Sequence, residues 1–102
     1  MIDGLSDRAL VTRALRGDSD AFVTLARRHE GSVCAIAMAR LLNTADAEEV
    51  TQEVFLRAYE RLGELRAPDR FGAWVTRITL SMVHRRHRLR NREVLTDAPE
   101  AI

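Results

Sequence analysis

Apolar residues recur at every fourth position of the segment 46–62, and this periodicity constrains the fold more than any other feature of the chain. The four residues are Val50, Val54, Ala58 and Leu62. Such spacing places them along one side of an α-helix, while acidic and amide residues occupy the opposite side. Nowhere in the sequence do apolar and polar residues alternate for long enough to predict a β-strand. The sequence therefore predicts an all-α fold.

Capping residues and a glycine divide the first half of the chain into further helices. Ser6 and Ser19 are predicted to cap two helices, the second of which runs to about His29. Gly31 is expected to interrupt this second helix, because glycine weakens a helix interior, so that a third helix covers 32–42. These three helices are interpreted mainly as scaffold.

The second half of the chain contains two longer helices separated by one loop. Asn43 and Thr44 form a turn and cap for the 46–62 helix, and acidic residues in its first turns favour its dipole. A loop follows at 63–68, after which Asp69 is predicted to cap the last helix. The buried stripe of the last helix is predicted to comprise Phe71, Trp74, Val75, Ile78 and Met82. The alternative for Trp74 and Phe71 is stacking on unpaired bases, although their spacing among aliphatic residues favours the core.

The length of 102 residues accommodates one hydrophobic core. We expect a compact bundle of about four to five helices over residues 1–95, with 96–102 as the start of an interdomain linker or a disordered tail. The single cysteine, Cys34, excludes an intrachain disulfide, which suits the reducing cytoplasm. No apolar run is long enough to span a membrane, so we expect a cytoplasmic protein without membrane contact.

Positive charge is concentrated in the last helix, although the net charge of the chain is only +1. Residues 70–92 contain seven arginines and no carboxylate, so a polyanion would meet only one end of the molecule. The basic surface has two adjacent faces, one formed by Arg85, Arg88 and Arg92 and the other by Arg86 and Arg90. This surface predicts contact with nucleic acid and a strong dependence of binding on salt.

The outer side of the 46–62 helix carries a second candidate surface. Glu49 stacks on Glu53 and Gln52 stacks on Leu56, because residues four apart lie on the same helix face. Carboxylates, an amide and an exposed leucine would form one patch that is suited to a basic partner helix. The alternative interpretation is an ordinary solvated helix face, which charge spacing alone does not exclude.

The chain offers no pattern typical of catalysis or of metal binding. His84 and His87 are three residues apart, yet no third ligand of suitable spacing lies near them in the sequence. Cys34 falls in an apolar helical run and is interpreted as a small core residue. Since neither a catalytic triad nor a glycine-rich phosphate loop can be argued, we predict no catalytic residue, no cofactor and no metal site.

Three segments in a fixed order resemble region 2 of bacterial RNA polymerase sigma factors of the extracytoplasmic-function group. They are Arg-Gly-Asp-Ser-Asp-Ala-Phe at 16–22, Asp-Ala-Glu-Glu-Val-Thr-Gln-Glu-Val-Phe-Leu-Arg-Ala-Tyr at 46–59 and Phe-Gly-Ala-Trp-Val-Thr-Arg-Ile at 71–78. The resemblance covers about residues 5–92. It implies a helical domain that binds the clamp coiled coil of the polymerase β′ subunit, and that recognises and helps to melt the promoter minus-ten element.

The resemblance also implies which residues meet each partner. The candidate polymerase contacts on the 46–60 helix are Asp46, Glu49, Gln52, Glu53, Leu56 and Arg57. The loop 63–70 and the helix that begins near Phe71 would capture flipped non-template bases while arginines hold the backbone. The candidate DNA contacts are Arg66, Arg70, Arg77, Arg85, Arg86, Arg88, Arg90 and Arg92. A monomer is the expected state, and an anti-sigma factor is a further candidate partner.

The chain departs from the family pattern in the last helix. Family members commonly carry Ala-Arg-Asn after the Arg-Ile pair, with an Asp one turn later, where this chain has Thr79-Leu80-Ser81 and Arg85. The departure favours an alternative function, a protein-interaction module that binds polymerase or an anti-sigma factor without reading DNA. A third interpretation, an independent non-specific nucleic-acid binder, leaves the acidic patch without a role. The segment 96–102 is expected to lead toward a second, minus-thirty-five-binding domain of a longer sigma factor.

Overall fold

Four α-helices joined by short turns form the part of the chain that the computed structural model describes, which is the backbone of residues 2–97 and the side chains of residues 2–92. The helices are α1 (Asp7–Leu15), α2 (Ser19–Leu41), α3 (Thr44–Glu60) and α4 (Phe71–Asp97). Short 3-10 turns lie at Ile2–Gly4, Leu62–Glu64 and Pro68–Arg70. No strand occurs within residues 2–97, and the predicted all-α bundle is confirmed.

Local side-chain caps set the starts of α1 and α2. The Ser6 hydroxyl accepts a hydrogen bond at 3.1 Å from the backbone N–H three residues later, as the sequence predicts. The cap of α2 is Asp18 rather than Ser19, because the Asp18 carboxylate accepts the corresponding backbone N–H at 3.3 Å. Gly17 between the two helices has a φ of 99°, a left-handed conformation that favours glycine.

The predicted break at Gly31 is wrong, because α2 continues without interruption through that position. Glycine in a helix interior costs about 1 kcal/mol relative to alanine. Apolar side chains on both sides of it are buried in the core, and their burial outweighs this cost. They are Phe22, Leu25, Val33, Ala37 and Leu41. The helix predicted at 32–42 is therefore the second half of α2.

The core lies where α2 packs against the other three helices. The stripe predicted for α3 is buried, including Leu62 just beyond the end of the helix. Its other members are Val50, Val54 and Ala58. Because this stripe faces inward, the acidic and amide side chains of α3 remain on the outside of the bundle.

The buried side of α4 differs from the predicted stripe. Its buried residues recur every four positions and are Phe71, Val75, Thr79 and Val83. Trp74, Ile78 and Met82, which the sequence places in the stripe, are only half-buried. Thr79 fits the core because its hydroxyl donates a hydrogen bond at 2.8 Å to the carbonyl of Val75, which leaves no unpaired polar group there. The helix is thus rotated relative to the predicted orientation.

The start of α4 differs from the predicted one. Asp69 lies inside the turn Pro68–Arg70, which has no side-chain capping hydrogen bond. The helix starts at Phe71 and continues to Asp97, two residues into the segment 96–102 that is predicted to begin a linker or tail. The remaining predicted linker, 98–102, lies outside the described residues. Within 2–97 no helix is both long and apolar enough to cross a membrane.

Candidate nucleic-acid groove and acidic face

An open groove of about 590 Å³ lies between the end of α3, the segment that follows it and the first half of α4. Its charged lining consists of five arginines and one glutamate: Arg57, Arg61, Arg66, Arg70, Arg77 and Glu64. Its apolar lining includes Leu65, Trp74, Ile78 and Met82. The groove therefore combines cationic side chains with apolar and aromatic surface, the combination that binds single-stranded nucleic acid.

Trp74 is held at the boundary between the core and the groove. Its ring centroid lies 6.0 Å from that of Phe71, and the two ring planes are tilted by 53°. Phe71 in turn packs edge-on against Phe22 in the core, with 6.2 Å between the centroids. Because Trp74 is half-buried and lines the groove, part of its indole ring is available to a ligand. The sequence predicts mainly a core role for this residue, whereas the structure places it in both environments.

Arginines on one side of α4 extend the positive surface beyond the groove. Arg77 lines the groove, and Arg85, Arg88 and Arg92 follow at spacings that keep them on a similar side of the helix. All three side chains are exposed. A nucleic-acid backbone bound in the groove would therefore meet further positive charge along α4.

The acidic face of α3 comprises Asp46, Glu49, Gln52, Glu53 and Leu56. Asp46 is half-buried beside α4, and the other four side chains are exposed. Asn43 caps the start of the helix, because its side-chain oxygen accepts the backbone N–H of Asp46 at 2.9 Å. Gln52 and Glu53 are exposed, and Leu56 is 64% exposed. A partner can therefore reach these three side chains without any change of fold.

Arg86 and Arg90 lie against this acidic face rather than in the groove. The Arg86 guanidinium is 3.4 Å from carboxylate oxygens of Asp46, Glu49 and Glu53. Arg90 forms a further ion pair with Asp46. The structure thus brings together two arginines predicted to contact DNA and three acids predicted to contact polymerase.

Arg57 and Arg61 lie together in the groove. The family resemblance implies that Arg57 contacts polymerase, and in the structure this residue also lines the groove. Arg61 is absent from the predicted contacts, yet it lines the groove one helical turn further along. The four-residue spacing between the two arginines is the sequence signal that could have identified Arg61.

The profile of the sigma-70 region 2 family matches residues 25–93, which is more than half of the sequence. The chain belongs to the sigma-70 region 2 family. The curated relatives of this region 2 domain include sigma factors named for the extracytoplasmic-function group, and the resemblance drawn from its three motifs is confirmed.

Three of the relatives extend well beyond the part that this region 2 domain matches. The ECF RNA polymerase sigma-E factors of Haemophilus influenzae and Escherichia coli are each 33% identical to it over 81 residues. The RNA polymerase sigma-H factor of Pseudomonas aeruginosa is 31% identical over 81 residues. Each alignment covers 79% of this chain and 42% of the relative, so the chain spans less than half the length of the relatives it matches. No solved structure gave a significant match.

Proposed function

We propose that this domain binds the RNA polymerase core through the acidic face of α3 and recognises the promoter minus-ten element through the groove beside α4. The observation that carries the proposal is Trp74, half-buried in a groove lined by five arginines. Membership of the sigma-70 region 2 family supports a role in transcription initiation. Its place of action is then the cytoplasm, together with the polymerase, and it acts as a monomer.

The groove binds the separated non-template strand of the promoter. An unpaired base stacks on the available part of Trp74 while arginines such as Arg66 and Arg70 bind phosphates. Extruding a base from the duplex costs a few kcal/mol, and the stacking and phosphate contacts offset this cost. Recognition and strand opening are therefore one binding event, in which the domain makes and breaks no covalent bond.

The acidic face binds the clamp coiled coil of the polymerase β′ subunit. Gln52 and Glu53 form the centre of this interface, flanked by Glu49 and Leu56. The exposed leucine supplies apolar contact area, and the carboxylates supply charge complementarity to a basic partner. Since these side chains lie outside the core, the same bundle presents both surfaces at once.

A protein-interaction module that does not read DNA is the second candidate function. The observation that favours it is Thr79, which is fully buried and therefore cannot contact a base. Thr79 opens the turn in which the chain departs from the sigma-factor pattern. In this alternative the acidic face binds polymerase or an anti-sigma factor, and the arginines contact at most the phosphate backbone.

A selection from randomised single-stranded DNA, followed by fluorescence anisotropy across a salt series, distinguishes the two candidates. The 102-residue chain is used in both steps, and the selected strand is compared with a scrambled strand of the same composition. The proposal expects a minus-ten-like sequence to be enriched and to bind more tightly than the scrambled strand at every salt concentration. Equal and steeply salt-dependent binding of both strands would refute promoter reading and favour the interaction module.

A further inference from the structure

Arg86 belongs by residue type to the basic surface of α4, but its side chain points toward α3. We propose that Arg86 is an internal counter-ion of the acidic face, where it competes with cations of the polymerase, and that it does not bind promoter DNA. The inference rests on the proposed function of the acidic face. In this role Arg86 lowers the affinity of the acidic face for the polymerase.

Two rows of opposite charge meet between α3 and α4. Asp46, Glu49 and Glu53 are separated by three and four residues, so they share one side of α3. The Arg86 Nη1 atom is 3.4 Å from Asp46 Oδ1 and from Glu49 Oε2, and its Nη2 atom is 3.4 Å from Glu53 Oε1. Arg90, one turn further along α4, pairs with Asp46. One guanidinium is thus shared among three carboxylates.

Although they pair with Arg86, the carboxylates of Glu49 and Glu53 remain accessible to a partner. The side chains of Glu49 and Glu53 are 64% and 49% exposed. Their contacts with Arg86 are longer than the roughly 2.7–2.9 Å of a strong charge-assisted hydrogen bond, so each contact is weak. A guanidinium or ammonium group of the partner can replace Arg86 on these two acids while the bundle stays folded. Arg86 therefore lowers the affinity of the face for any basic partner.

The surroundings of Arg86 are unfavourable for a phosphate. Its side chain is only 24% exposed, and three carboxylates lie within 3.4 Å of it. A phosphate that approached the guanidinium would meet repulsion from those carboxylates. Arg85, the preceding residue, is exposed on a similar side of α4 to the groove residue Arg77, and it offers a matched control.

The test compares Arg86→Gln with Arg85→Gln, since each removes one positive charge from neighbouring positions of α4. Binding to single-stranded DNA is measured by anisotropy across a salt series. Removing one phosphate contact lowers the slope of log affinity against log salt by about 0.7 for a single strand. We expect that loss for Arg85→Gln and an unchanged slope for Arg86→Gln. Equal losses of slope in both variants would overturn the inference.

Binding to the core polymerase is expected to change in Arg86→Gln and to stay the same in Arg85→Gln, the reverse of the effects on DNA binding. Arg86→Gln should bind core on the order of threefold more tightly at low salt, because the acidic face loses its internal competitor. The gain should shrink as salt rises. Arg85→Gln should bind core as the unmodified chain does. Unchanged or weaker binding by Arg86→Gln would overturn the inference.

A third measurement needs no partner and therefore separates this inference from the proposed function. The Nε–H signals of Arg86 and Arg85 are followed by NMR in a variant with Asp46→Asn, Glu49→Gln and Glu53→Gln. We expect the Arg86 signal to shift and its exchange with water to accelerate, while the Arg85 signal stays in place. An unmoved Arg86 signal would refute the internal pairing. Failure of the unmodified chain to bind core would refute the polymerase contact, whatever the NMR result.

Discussion

The two arginine rows of α4 share one helix and one residue type, yet they differ in what they face. Arg77 lines the groove and Arg85 is exposed, whereas Arg86 and Arg90 are paired with the acids of α3. Consecutive side chains of a helix point about 100° apart. Arg85 therefore faces solvent, whereas Arg86 faces the carboxylates of α3. Counting basic residues therefore overstates the surface available to DNA, because the rotation of the helix decides which charges remain accessible.

The largest expected effect comes from truncating Phe71, a core residue of α4. It is fully buried, and its ring contacts those of Phe22 and His29. Phe71→Ala should lower the free energy of unfolding by about 3–5 kcal/mol, through lost burial and the cavity left behind. Urea denaturation followed by circular dichroism measures the change. Phe71→Leu, the control that keeps an apolar side chain, should cost less; equally small losses in both variants would show that other contacts hold α4.

The second largest effect is expected from Trp74, which lines the groove. Trp74→Ala should weaken binding of single-stranded DNA by about 1–3 kcal/mol, the typical contribution of one base stacked on an aromatic ring. Anisotropy at one fixed salt concentration measures the loss. Trp74→Phe keeps an aromatic face and should recover most of the affinity. If the two variants bind equally weakly while both remain folded, stacking does not explain the groove.

A smaller effect is expected at the acidic face of α3. The double substitution Gln52→Ala with Glu53→Ala should weaken binding to core polymerase on the order of tenfold, as truncation at the centre of an interface does. Folding should be unchanged because both side chains are exposed. Glu48→Ala removes an exposed charge of α3 outside the proposed centre and serves as the control. If the double variant is folded and binds core polymerase as tightly as the unmodified chain, the acidic face is not the polymerase contact.

The smallest effect concerns Thr79, on the buried side of α4. Thr79→Val should change the free energy of unfolding by less than about 1 kcal/mol, because it retains the shape and removes a hydroxyl bonded only within its own helix. The DNA sequence preference should stay the same. Ser81→Ala, at an exposed position that lines the groove, is the comparison variant. A changed preference for Thr79→Val alone would contradict the assignment of Thr79 to the core.

Features that depend on neighbouring residues were predictable from the sequence. The Ser6 cap, the Asn43 cap and the buried stripe of α3 each follow from side chains within a few positions of one another. The break at Gly31 was wrong because packing on both sides of the glycine overrides its weak local preference. Trp74 was placed mainly in the core because periodicity cannot show that a groove opens beside one edge of the stripe.

By itself, the sequence determined that the chain is helical, that α3 has an acidic outer side and that α4 is rich in arginine. These properties follow from the spacing and type of residues along single helices. Only the tertiary structure decided that Arg57 joins the groove and that Arg86 and Arg90 meet carboxylates. Helical periodicity sets the angle between side chains of one helix, but the rotation of that helix, and the neighbour it faces, depend on the packing of the whole core.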